Sequence, residues 1–128
     1  MKNQYRSSLS IAKNLGSAKS GLGHWLKQRF TAIMLALFTI WLIRFAYNLA
    51  HSETQLAFIG VLKVPCNIVM LVLFMMTALY HGVLGMNVII EDYIHCRAMK
   101  ISALLLLKIF SIVSAAGFIV SLIYVINL

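Results

Sequence analysis

The stretch CNIVMLVLFMMTALYHGVLGMNVII, from Cys66 to Ile90, decides the fold. It contains no Asp, Glu, Lys, Arg or Pro, and it exceeds the roughly 20 apolar residues that carry a helix across a hydrocarbon core of about 30 Å. Working outward, Phe30 to Leu49 and Ile101 to Leu128 meet the same standard. The chain as a whole is 128 residues long, 62% hydrophobic and 11% charged, with one proline and a mean hydropathy of +0.92. A soluble domain of this size could not cover so much apolar surface. The expected architecture is therefore all-α and integral to the membrane, a single anchor domain over residues 1–128 with three transmembrane helices and no room for a separate soluble catalytic domain.

Charge orients the spans. The formal net charge is +8, and Lys2, Arg6, Lys13, Lys19, Lys27 and Arg29 all precede the first span. The connection after the second span adds Arg97 and Lys100, whereas that after the first holds Lys63 offset by Glu53. The positive-inside rule then puts the amino terminus in the cytoplasm and the carboxyl terminus on the opposite side. A basic leader of this kind reflects topology and anionic lipid, so no nucleic-acid partner is expected. Residues 1–23, serine-rich and free of acids, read as a cytoplasmic arm ordered by a partner. A transit peptide is the lesser reading. The bacterial cytoplasmic membrane is the expected location, ahead of the mitochondrial inner membrane.

The flanks follow from side-chain chemistry. His24, Trp25, Lys27, Gln28 and Arg29 gather at the mouth of the first span, and Trp41 and Tyr47 mark its other interface, where Arg44 can snorkel outward. Residues 51–64 read as a short loop of mixed polarity. Pro65 suits the first turn of a helix, where a missing N–H costs nothing. Cys66 and Cys96 sit at opposite ends of the second span and are too far apart for a disulfide. In the third span Ser111, Ser114, Ala115, Ala116 and Gly117 suit close helix contact, and Lys108 snorkels toward the cytoplasmic face.

Polar residues inside spans need partners. His81 lies about 14 Å of helical rise from Ile90, close to the bilayer midplane. Its imidazole can hydrogen-bond a neighbouring helix, serve a proton pathway, or ligate a metal such as haem iron. Thr77, Gly85, Val88 and Asp92 fall within about 40° of it on a helical wheel. Gly85 would let a flat macrocycle approach the backbone, or equally serve packing. His24, His51 and His95 lie at or outside an interface, so a six-coordinate haem would take its other axial ligand from a second chain. At the cytoplasmic edge, Arg29, Asp92 and Tyr93 share a leaflet, where a phenol can donate to a carbonyl ligand dissolved in lipid or play an ordinary aromatic-belt role.

These residues carry a resemblance. Gly21-Leu-Gly-His-Trp-Leu-Lys-Gln-Arg-Phe-Thr-Ala-Ile33, Tyr80-His81 with Gly85, and Glu91-Asp92-Tyr93 resemble the hydrophobic membrane anchor subunits of succinate dehydrogenase in order and spacing, from about Lys13 to His95. The smaller anchor of that complex is the better likeness.

The resemblance implies a four-subunit assembly with a flavoprotein, an iron–sulfur protein and a sister cytochrome b556 anchor. Succinate is oxidised outside the bilayer and electrons pass to ubiquinone near the membrane surface. It implies His81 as an axial ligand of a haem b shared with the sister anchor, Tyr93 and Asp92 at the ubiquinone site with the tyrosine donating to a quinone carbonyl, and Arg29 near a haem propionate. Glu91 and His95 flank the pair without an assigned role. The chain would have no succinate-oxidising activity alone. Two other readings stand beside this one: a cofactor-free structural anchor or assembly subunit, and a small proton-conducting protein.

Overall fold

A computed structural model describes residues 21–127, so most of the expected arm and the final Leu128 lie outside the described residues. Four helices follow one another: α1 (Gly21–Ala50), α2 (Gln55–Lys63), α3 (Pro65–Tyr93) and α4 (Arg97–Ile126). Three of them, α1, α3 and α4, are long and apolar enough to cross a membrane. At 1.5 Å per residue each runs about 45 Å, enough to cover the hydrocarbon core and both headgroup layers.

Short connections make neighbouring helices antiparallel. The central helix is α3, which packs against α1 on one side and α4 on the other. The amino-terminal ends of α1 and α4 and the carboxyl-terminal end of α3 therefore lie on one side of the bundle. Among the described residues only Thr31, Phe45, Leu84 and Ile90 are buried. The rest of the apolar surface faces outward, as it must where the solvent is lipid and leucine gains nothing by hiding from it.

Two departures from the sequence reading concern helix limits. α1 already includes Gly21, ahead of the expected Phe30, so His24, Trp25, Gln28 and Arg29 sit on helical turns. Residues 55–63, expected as loop, form α2. Thr54 starts it: its backbone is extended and its hydroxyl accepts a hydrogen bond from the Ala57 N–H at 3.2 Å, the ordinary N-cap arrangement. Val64 ends α2 and precedes α3, held at φ −60°, ψ 121°, because a residue before proline is pushed out of the helical region. The Asn67 side-chain amide donates to the Val61 carbonyl at 2.8 Å, tying α2 to the first turn of α3.

At the other end, Ile94, His95 and Cys96 join α3 to α4. The Lys100 ammonium donates to the Glu91 carbonyl at 3.0 Å, meeting an orphan acceptor in the last turn of α3 where a cation also suits the helix dipole. Cys66 and Cys96 are both free and exposed. Trp41 stacks on Phe45 with ring centroids 5.1 Å apart, and Tyr47 on His51 at 4.0 Å, rigidifying the far end of α1.

Candidate functional site

A histidine well inside a span cannot be left without hydrogen-bond partners. His81 lies about 18 Å of helical rise from the end of α3, and Thr31 about 15 Å from the start of α1, so antiparallel packing brings them level. Thr31 Oγ1 is 2.8 Å from His81 Nδ1. The same hydroxyl is 2.9 Å from the Lys27 carbonyl and 3.1 Å from that of Gln28. On the other side of the ring, the Gln28 amide nitrogen is 3.5 Å from His81 Nε2.

With the Gln28 amide nitrogen toward the ring, one tautomer satisfies both contacts. An amide NH₂ can only donate, so Nε2 is the unprotonated nitrogen that accepts from Gln28. Nδ1 then carries the proton and donates it to Thr31 Oγ1. That oxygen is free to accept because its own proton is directed to the carbonyls of the preceding turn. An imidazole whose Nδ1–H is held by a partner is the form that binds a metal through Nε2, here once the Gln28 amide gives way.

His81 lines a groove of about 830 Å³ between α1 and α3, within the range of cofactor and small-molecule sites. Trp25, Gln28, Arg29 and Ala32 line it from α1, and Gly85, Val88 and Glu91 from α3. Gly85 keeps it open: a Cβ there would stand 3.4 Å from the Gln28 amide nitrogen. Arg29 lies over the Trp25 ring, its guanidinium carbon 5.5 Å from the centroid, a cation–π contact that holds the charge at the groove wall. Gln28 Oε1 is buried and has no hydrogen-bond partner among the described residues.

Of the residues singled out from sequence, the fold gathers His81, Arg29 and Gly85 around one groove and adds Glu91. Asp92 and Tyr93 are elsewhere. They occupy the last turn of α3, both exposed, with 79% of the Tyr93 surface accessible, and they do not line the groove. Sequence reasoning missed the roles of Gln28 and Thr31. The signal was present, since His24, Gln28 and Thr31 are polar at i, i+4 and i+7, a stripe along one face of an apolar helix. Among the described residues no three His, Cys, Asp or Glu side chains converge as a metal cage.

The family of succinate dehydrogenase/fumarate reductase transmembrane subunits matches residues 3–123 of this sequence. The chain belongs to that family. Among its relatives, the succinate dehydrogenase hydrophobic membrane anchor subunit of Rickettsia bellii is 43% identical over 94% of this chain and 95% of its own length. That of Rickettsia conorii is 40% identical with the same coverage. The succinate dehydrogenase membrane anchor subunit of Reclinomonas americana is 30% identical over 73% of this chain and 80% of its own. No solved structure matches. The match covers α1, α3 and all but the last three residues of α4, so the groove between α1 and α3 lies within the part of the chain shared with the family.

Proposed function

We propose that this chain is a membrane anchor subunit of succinate dehydrogenase that co-ligates haem b with a sister anchor and forms part of the ubiquinone-reduction site. The observation that carries this reading is the held imidazole: His81 Nδ1 meets Thr31 Oγ1, and the ring lines a groove walled by a glycine, an aromatic ring and an arginine. The residues fit the group. His81 would hold the iron, Gly85 leaves backbone surface for a flat ring, and Arg29 and His24 at the groove wall suit propionates. The buried Gln28 Oε1 has no hydrogen-bond partner among the described residues, which leaves an acceptor open to such a group. Haem, when bound, supplies one-electron transfer within the membrane.

One histidine at this depth fills one axial position, so the second ligand belongs to a sister subunit, the cytochrome b556 anchor. The flavoprotein and iron–sulfur subunits complete the assembly on the side where α1 starts. The basic residues before α1 and at the α3–α4 connection favour the cytoplasm for that side, and the rickettsial relatives favour a bacterial cytoplasmic membrane. Tyr93, exposed at that edge with Asp92 beside it, is the candidate donor to a ubiquinone carbonyl; its separation from the groove suits a quinone bound at the membrane surface rather than beside the haem.

A second reading has its own support. His81 is hydrogen-bonded on both ring nitrogens by this chain's residues, which is what a cofactor-free structural anchor would need. Reduced-minus-oxidised spectra of the purified membrane complex separate the two. Haem ligation predicts b-type absorption that disappears in His81→Ala, whereas unchanged absorption in the variant removes His81 as the ligand and leaves the structural reading.

A further inference from the structure

An ammonium within a span is expensive unless something of opposite charge meets it. α4 carries one such group, Lys108, about 16 Å of helical rise beyond Arg97 and about 12 Å beyond Lys100. Its side chain is exposed. No acid of this chain stands at its level: Glu91 and Asp92 are in the last turn of α3, and Glu53 precedes α2 at the opposite side of the bundle. Helical side chains lean toward the helix amino terminus, so the Lys108 amine is carried toward the Arg97 end of the span, into reach of the ester and phosphate layer.

Lys108 also lies at one end of a crevice of about 310 Å³ between α3 and α4, on a different face of α3 from the His81 groove. Met76, Leu79 and Val83 wall it from α3, and Ile112 and Ala115 from α4. Its α4 residues all follow Lys108, so the apolar floor runs from the cation toward the membrane interior for about 10 Å. Ser111 also lines it, a small side chain that leaves space where a larger one would fill the crevice. At about 310 Å³ the crevice is too small to seat a partner helix, which is about 10 Å across, but it has room for part of a single hydrocarbon chain.

We propose that this crevice is a binding site for an anionic phospholipid, with the phosphate paired to the Lys108 ammonium and one acyl chain laid between α3 and α4. The charge selects the headgroup and the crevice holds the chain. The site is independent of haem and quinone.

The test uses the intact membrane complex, extracted in mild detergent, stripped of lipid and titrated with phosphatidylglycerol or phosphatidylcholine, with bound lipid counted by native mass spectrometry. Wild type and Lys108→Arg should prefer phosphatidylglycerol by about fivefold, the weight of one cation near a membrane surface. Lys108→Leu, a substitution that suits a lipid-facing helix, should lose that preference. Ala115→Leu, which fills the crevice without touching the charge, should lower uptake of both lipids. A Lys108→Leu complex that keeps the preference would overturn the proposal, and one that sheds a partner subunit would assign Lys108 to a partner carboxylate instead. Uptake unaffected by Ala115→Leu would remove the chain from the crevice.

Discussion

His81 Nδ1 and Thr31 Oγ1 meet at 2.8 Å although 50 positions separate them in the chain. This contact ties α1 to α3, gives the Nδ1 side of the imidazole its partner, and holds a ring that lines the groove. Substitution of Thr31 tests all three. Thr31→Val keeps the shape but leaves Nδ1–H without its acceptor, and loss of an outer-shell partner of this kind typically weakens metal binding about 10- to 100-fold. The expected outcome is a lowered haem-to-complex ratio and a shifted midpoint potential, with Thr31→Ser restoring both. A Thr31→Val complex with wild-type haem content and potential would show that Thr31 does not position the ring.

Gly85 separates a small addition from a large one. A Cβ would approach the Gln28 amide nitrogen at 3.4 Å, the end of a flexible side chain that can give way, and alanine is favoured over glycine in a helix by about 1 kcal/mol. Gly85→Ala should therefore be neutral or slightly stabilising in thermal denaturation of the purified complex and should retain b-type absorption. Gly85→Leu should fill the groove and abolish that absorption while the subunit still inserts.

Tyr93 is exposed and stands outside the groove, so its loss should leave haem untouched. Tyr93→Phe deletes one hydroxyl. The expected result is quinone reduction slowed by about tenfold, the weight of one hydrogen bond of roughly 1.4 kcal/mol, with succinate oxidation by a soluble acceptor unchanged. Equal quinone rates would place the quinone contact on other residues.

Thr54 tests the connection instead of the chemistry. Its hydroxyl caps α2 through the Ala57 N–H, and removing such a cap costs about 1 kcal/mol. Thr54→Ala should speed amide hydrogen exchange across Gln55–Lys63 without altering the spectrum or the quinone rate.

The three spans were legible because the requirement that defines them is simple: a long apolar run in which the backbone satisfies its own hydrogen bonds. α2 was not legible in the same way. It is too short to register as a span, and its start depends on one hydroxyl at Thr54 and its end on the conformation that Pro65 imposes on Val64. At the site, His81 stood out because an ionisable ring is conspicuous among leucines. Gln28 and Thr31 did not, since each lies near the start of a helix whose polar residues read equally well as an interface. What identifies them is an angular relation between α1 and α3, which a linear reading leaves open.

Gln28 gives the His81 lone pair an occupant from within the chain: the amide nitrogen is 3.5 Å from Nε2. Any group that coordinates this histidine must evict that amide, so coordination here is an exchange of partners, and its strength is a difference between two interactions. Shortening residue 28 would remove the competitor for that lone pair and so strengthen coordination.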